Sequence, residues 1–89
     1  MSNWDYIRSK LKPEFERMGI TRCEMCNSGM YLSFAHRLKR RFIHTDEEMR
    51  KVALLCVTCH AVIERKSHAE MFEIVTALID NRQAAVEAA

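Results

Sequence analysis

The sequence predicts an α+β fold, with two short strands held between N- and C-terminal helices in a single domain spanning residues 1–89. Three observations predict it. Apolar residues recur at helical spacing at both ends, and the runs 31–35 and 52–55 read as strands. Two Cys-x-x-Cys pairs, Cys23/Cys26 and Cys56/Cys59, bracket both strands. A chain of 89 residues supports one core. With 48% hydrophobic and 29% charged residues it is not a disordered chain, but 8% aromatic content makes a lean core. At this size such a core needs a metal or disulfides to hold it.

Each element has a local reason. Trp4 to Met18 reads as a helix capped at Ser2 or Asn3, kinked or restarted at Pro13 and stopped by Gly19, within an N-terminal segment 1–22. Trp4 and Tyr6 are expected to pack rather than bind. Cys23 to Gly29 reads as a knuckle, a tight turn whose amides point at cysteine sulfur. In the strand 31–35, Leu32 and Phe34 alternate with smaller or polar residues, so one face is expected to be buried. Thr45-Asp46-Glu47-Glu48 is a capping box that opens a brief helix at Asp46. Val52 to Leu55 leads as a second strand into the second knuckle, and helix is expected from about Thr58 through Glu64. A second capping box, Ser67-His68-Ala69-Glu70, starts a C-terminal helix over 67–89. Its stripe Met71, Ile74, Val75, Leu78 and Ile79 packs on the core or on a second copy of the chain.

The cysteines carry the most specific chemistry. Zinc takes four tetrahedral ligands, and two Cys-x-x-Cys turns supply four thiolates, so Cys23, Cys26, Cys56 and Cys59 are expected to hold one structural Zn²⁺. The opening residues show neither a basic n-region nor an apolar core, which predicts a cytoplasmic protein with reduced thiols and argues against disulfides. No run is long enough to span a membrane. Cys56-Val57-Thr58-Cys59-His60 also spells the c-type haem attachment sequence, but haem would require export and would leave Cys23 and Cys26 unexplained.

Net charge is only +2, yet Arg37, Lys39, Arg40 and Arg41 concentrate it beside His36. Such a local patch can contact a phosphate backbone without a strongly basic whole. His44 and His68 read as surface residues.

Cys23-x-x-Cys26, then Leu32-Ser33-Phe34-Ala35-His36, then Val52 through Cys56-Val57-Thr58-Cys59-His60 to Glu64, resembles the cysteine-flanked HNH endonucleases. These are ββα-metal proteins frequent in phages and bacteria. The resemblance covers 23–64 and implies a zinc-stapled HNH-like core there. It implies that His36 is the general base activating water, and that His60 binds a catalytic divalent ion such as Mg²⁺. By likeness to the related colicin DNases, Glu64 joins His60 one helical turn on. DNA is the implied partner, in a bacterium or phage-infected cell. The chemistry is coherent: phosphodiester cleavage needs an activated water, a cation on the developing charge and positive groups to hold the strand. A neutral imidazole accepts a proton near neutral pH, and residues at i and i+4 of a helix face the same way.

Two positions depart from the family. Ala35 stands where an Asp or His usually assists the metal, and Lys51 stands where the Asn of the name belongs. The alternatives are therefore an HNH-like zinc module that grips DNA or a host protein without cutting, and a zinc domain that binds only protein.

Overall fold

The computed structural model describes residues 2–88. In chain order it runs α1 (Ser2–Arg17), β1 (Ser33–His36), a 3₁₀ turn (Arg40–Phe42), α2 (Asp46–Met49), β2 (Val52–Leu55), α3 (Val57–Glu64) and α4 (His68–Ala88). Helix α1 is already under way at Ser2, so Asn3 is not its cap. Asn3 instead lies in the first turn, and its amide donates to Asp46 at 3.0 Å. The residue before the helix falls outside the described range. Pro13 lies inside α1, which continues past it to Arg17.

Gly19 ends α1 as expected, and the geometry says why glycine is needed. Its φ is +79°, and the Ile20 amide reaches back to the Phe15 carbonyl while the Gly19 amide reaches Glu16. That is a Schellman closure, whose left-handed residue has no Cβ to strain. The closure brings Ile20 onto the same cluster as Phe15.

β1 and β2 form an antiparallel pair with Phe34 opposite Leu54, Ala35 opposite Ala53 and His36 opposite Val52. All four residues of β2 are buried. Strand alternation divides them between two clusters. Val52 and Leu54 meet Ile7, Leu11 and Phe15 of α1, with Phe34 and Trp4 alongside. Ala53 and Leu55 meet Ala35, Ile63, Met71 and Val75, with Ile74, Leu78 and Ile79 against them. The sheet is thus covered on both faces, and α4 spends its apolar stripe inside its own chain. β1 starts two residues later than the expected strand and ends one later. Ala35 is its buried position, Phe34 is half-buried, and Tyr31 leaves the strand at φ +51°.

One capping box forms in full and the other by half. Ser67 Oγ accepts from the Glu70 amide and Glu70 accepts from the Ser67 amide, each at 3.2 Å. Thr45 Oγ1 accepts from the Glu48 amide at 3.1 Å, but the Glu48 carboxylate turns to Arg37. Helix α4 runs from His68 to Ala88, and Ala89 lies outside the described residues. Among the described residues, no helix is long and apolar enough to cross a membrane.

Candidate metal centre

The two knuckles are built differently. In the first, the Cys23 amide donates to the Ser28 carbonyl, the Asn27 amide to the Cys23 carbonyl, and the Cys26 amide to Cys23 Sγ at 3.4 Å. Asn27 takes φ +68°, a conformation asparagine tolerates better than most side chains. The second knuckle is the start of a helix. Cys56 is the N-cap of α3, and its sulfur accepts the Cys59 amide at 3.5 Å. The amides that α3 leaves unpaired at its N-terminus therefore face sulfur, which favours thiolate there.

The four sulfurs lie within 4.8 Å of one another, and Cys26 and Cys56 approach to 3.5 Å. No disulfide joins them. Four thiolates at about 2.3 Å from a tetrahedral zinc ion stand about 3.8 Å apart, so the cluster has the size and donor set of a structural zinc site. Without a metal, two of the four thiols, Cys23 and Cys56, are lowered and two, Cys26 and Cys59, are raised. Burial pushes the Cys23 thiol up, but the amides of Cys26, Cys56 and Met25 outweigh it and bring it to about 6. Backbone bonding also lowers Cys56. Burial and then the neighbouring sulfurs drive Cys59 up. Four thiolates this close would need a cation among them, which a zinc ion would supply. All four cysteines expected from the sequence thus come together.

Glu24, between the first two cysteines, ties the centre to the rest of the fold. Its amide donates to the Leu54 carbonyl at 2.8 Å, and its carboxylate accepts the Leu54 amide at 2.7 Å. Arg82 of α4 donates to both Glu24 oxygens, at 2.8 and 3.1 Å, and to the Val52 carbonyl at 3.1 Å. Sequence reasoning missed this pair. One signal was present, because Arg82 is the lone Lys or Arg of the otherwise apolar and acidic segment 67–89.

The other candidate residues fall in two places. His36 ends β1 on the same side as Phe34, its ring centroid 4.4 Å from that of Trp4. Its Nε2 is buried without a hydrogen-bond partner among the described residues. Burial holds its pKa below the usual range, with the Met49 backbone and Glu48 opposing and Arg40 assisting. Trp4 packs, as expected, whereas Tyr6 is 65% exposed with Lys10 over its ring.

His60 sits in α3 beside the second knuckle. Its Nδ1 meets Ser33 Oγ at 2.6 Å, and its Nε2 lies 3.5 Å from Glu64. Ser33 leaves β1 on the side opposite His36, by strand alternation. Either ring nitrogen can carry the proton; with it on Nδ1, donating to Ser33, the Nε2 lone pair is left for a metal beside Glu64. Two ligands at about 2.1 Å on a tetrahedral ion stand about 3.4 Å apart, so one nitrogen and one oxygen here fit a zinc-like ion. They fit Mg²⁺ poorly, since it takes an octahedron of oxygens.

Arg37 is not available to a phosphate. Its Nε and Nη2 donate to the Glu48 carboxylate at 2.7 and 2.9 Å, Nη1 reaches Thr76, and the guanidinium lies over Phe72. The pair raises Arg37 and lowers Glu48. Lys39 is half-buried, while Arg40 and Arg41 on the 3₁₀ turn are exposed. No family model, curated protein or solved structure matches this chain.

Proposed function

We propose that this chain acts on nucleic acid as a metal-dependent endonuclease of the HNH class, hydrolysing DNA phosphodiester bonds. The observation that carries this is the strand–strand–helix run, in which His36 ends β1 and His60 lies beside the knuckle that opens α3. The zinc cluster is the clamp of that run. His36 is the base: burial favours its neutral imidazole, and its enclosed Nε2, without a partner among the described residues, acts once the Trp4 cover gives way to water. Ser33 orients His60, so that His60 and Glu64 present a nitrogen and an oxygen to one ion. A divalent ion held there would offset phosphate charge, from the face of β1 opposite His36. Arg40 and Arg41 hold the strand, and Arg37 positions α2 against α4.

A second reading is a module that binds nucleic acid without cutting it. It is favoured by Ala35, 1% exposed where the family carries a ligand, and by the enclosure of His36 behind Trp4. A plasmid-nicking assay with Mg²⁺, Mn²⁺, Ni²⁺ or Zn²⁺ separates the two. We expect nicking by the wild type, strongest with the ions that accept imidazole, and its loss in His36→Ala. Identical traces for both proteins with every metal would refute the nuclease reading.

A further inference from the structure

The basic run does not end where the sequence ends it. Phe42, the last residue of the 3₁₀ turn, is 45% exposed, and its ring stands edge-on to His68 at 5.0 Å between centroids. His68 is the first residue of α4, and the turn before it carries Arg65 and Lys66, both exposed. Two basic segments separated in sequence are therefore joined through one aromatic contact. Arg41 keeps its guanidinium 5.0 Å from the Phe42 centroid. Among the described residues, no ion pair engages Lys39, Arg40, Arg41, Arg65 or Lys66. Glu70, the acidic residue of α4's first turn, has its carboxylate folded back onto the Ser67 amide.

We infer that Phe42, His68 and the cations Arg40, Arg41, Arg65 and Lys66 form one binding surface for an unpaired stretch of nucleic acid, with a base stacked on Phe42. The inference rests on the nucleic-acid reading above and deepens it by naming the form of the strand. A phosphate backbone alone explains the cations. It does not explain a phenylalanine left 45% exposed among them with Arg41 over its ring, because a surface ring is useful to a base and a duplex keeps its base faces stacked inside. The surface also adjoins the candidate site, since the charge of Arg40 is felt by His36.

Fluorescence polarisation with labelled oligo-dT and with a duplex of equal length, on zinc-loaded protein freed of excess metal by gel filtration, tests this apart from cleavage. The zinc-loaded wild type should bind oligo-dT more tightly than duplex. Phe42→Ala should weaken oligo-dT binding about 5- to 150-fold while changing duplex binding little, and Phe42→Trp should restore it. Arg65→Ala/Lys66→Ala should lower the slope of log affinity against log salt by about 1.4 on the single strand. Equal affinity for both forms, an unchanged slope in the double variant, or displacement of oligo-dT by polyglutamate at matched charge would each overturn the inference. Nicking without these effects would leave the nuclease reading standing and this one refuted; these effects without nicking would do the reverse.

Discussion

Replacing Arg82 by methionine asks whether the zinc knuckle and the C-terminal helix are one cooperative unit. The guanidinium bonds both Glu24 oxygens and the Val52 carbonyl, and lies 4.4 Å from the Phe15 centroid. The side chains of Arg82 and Glu24 are 12% and 11% exposed, so removing either strands the other charge. Breaking such a pair costs about 3–5 kcal/mol. Glu24 is poorly placed to lose its partner, because burial already holds its carboxyl above the usual range despite Arg82. A domain of 89 residues has a total stability of about 4–13 kcal/mol, so the loss is a large fraction of it. At about 4–8 °C per kcal/mol the melting temperature should fall by about 12–40 °C. Far-UV circular dichroism at fixed free zinc reads this without a shift from metal mass action. The double variant Glu24→Gln/Arg82→Met leaves no stranded charge and keeps an acceptor for the Leu54 amide. It should lose less than the two single losses combined, by about 1–3 kcal/mol. An Arg82→Met protein melting within about 4 °C of wild type, or an additive cycle, would refute the reasoning.

Zinc should bind at about one equivalent per chain and be lost together with near-native circular dichroism on chelation, because the cluster joins the segment before β1 to the start of α3; a chelated chain that keeps its spectrum and its melting transition would contradict this. His36 has a folded pKa below its usual 6.5, so in the window between the two values the unfolded chain binds the proton more readily. Its contribution to stability is intact above about pH 6.5 and declines as pH falls through the folded value. His36→Phe should therefore lose less stability than wild type between about pH 7 and 5.5 at matched zinc, and parallel melting curves across that window would show that Nε2 is not enclosed.

Much of this fold was legible because its signals are local. Cysteine spacing, two capping boxes, the glycine stop and the stripe of α4 each depend on residues within a turn or two of one another. What was not legible depends on pairings across the chain. Arg37 reads as a nucleic-acid cation until Glu48 and Phe72 are placed against it, and no local feature of the basic run distinguishes it from Arg40 or Arg41. Ser33 looks like a spacer in a strand, yet it sets the orientation of His60. Leu32 and Phe34 suggested one buried face, because alternation in one strand cannot reveal that helices cover both. Phe42 and His68 become one surface only when the 3₁₀ turn and α4 meet.

That two-sided burial changes what the zinc must do. A strand with one apolar face fixes its own register, because a one-residue slip would turn its apolar set to water. β2 reads Val52-Ala53-Leu54-Leu55 and is buried throughout, so a slip would exchange one apolar pair for another with little loss of transfer free energy. Something other than hydrophobic pattern has to choose the register. Glu24 does so by bonding both the amide and the carbonyl of Leu54, on the edge of β2 that faces away from β1. The cysteines on either side of Glu24 and those that follow β2 then lock knuckle and strand in that alignment. Since β1 pairs with β2, the same lock decides that His36 falls on the Trp4 side and Ser33 on the His60 side. A metal held by the four cysteines would touch neither histidine and still fix which way each of them faces.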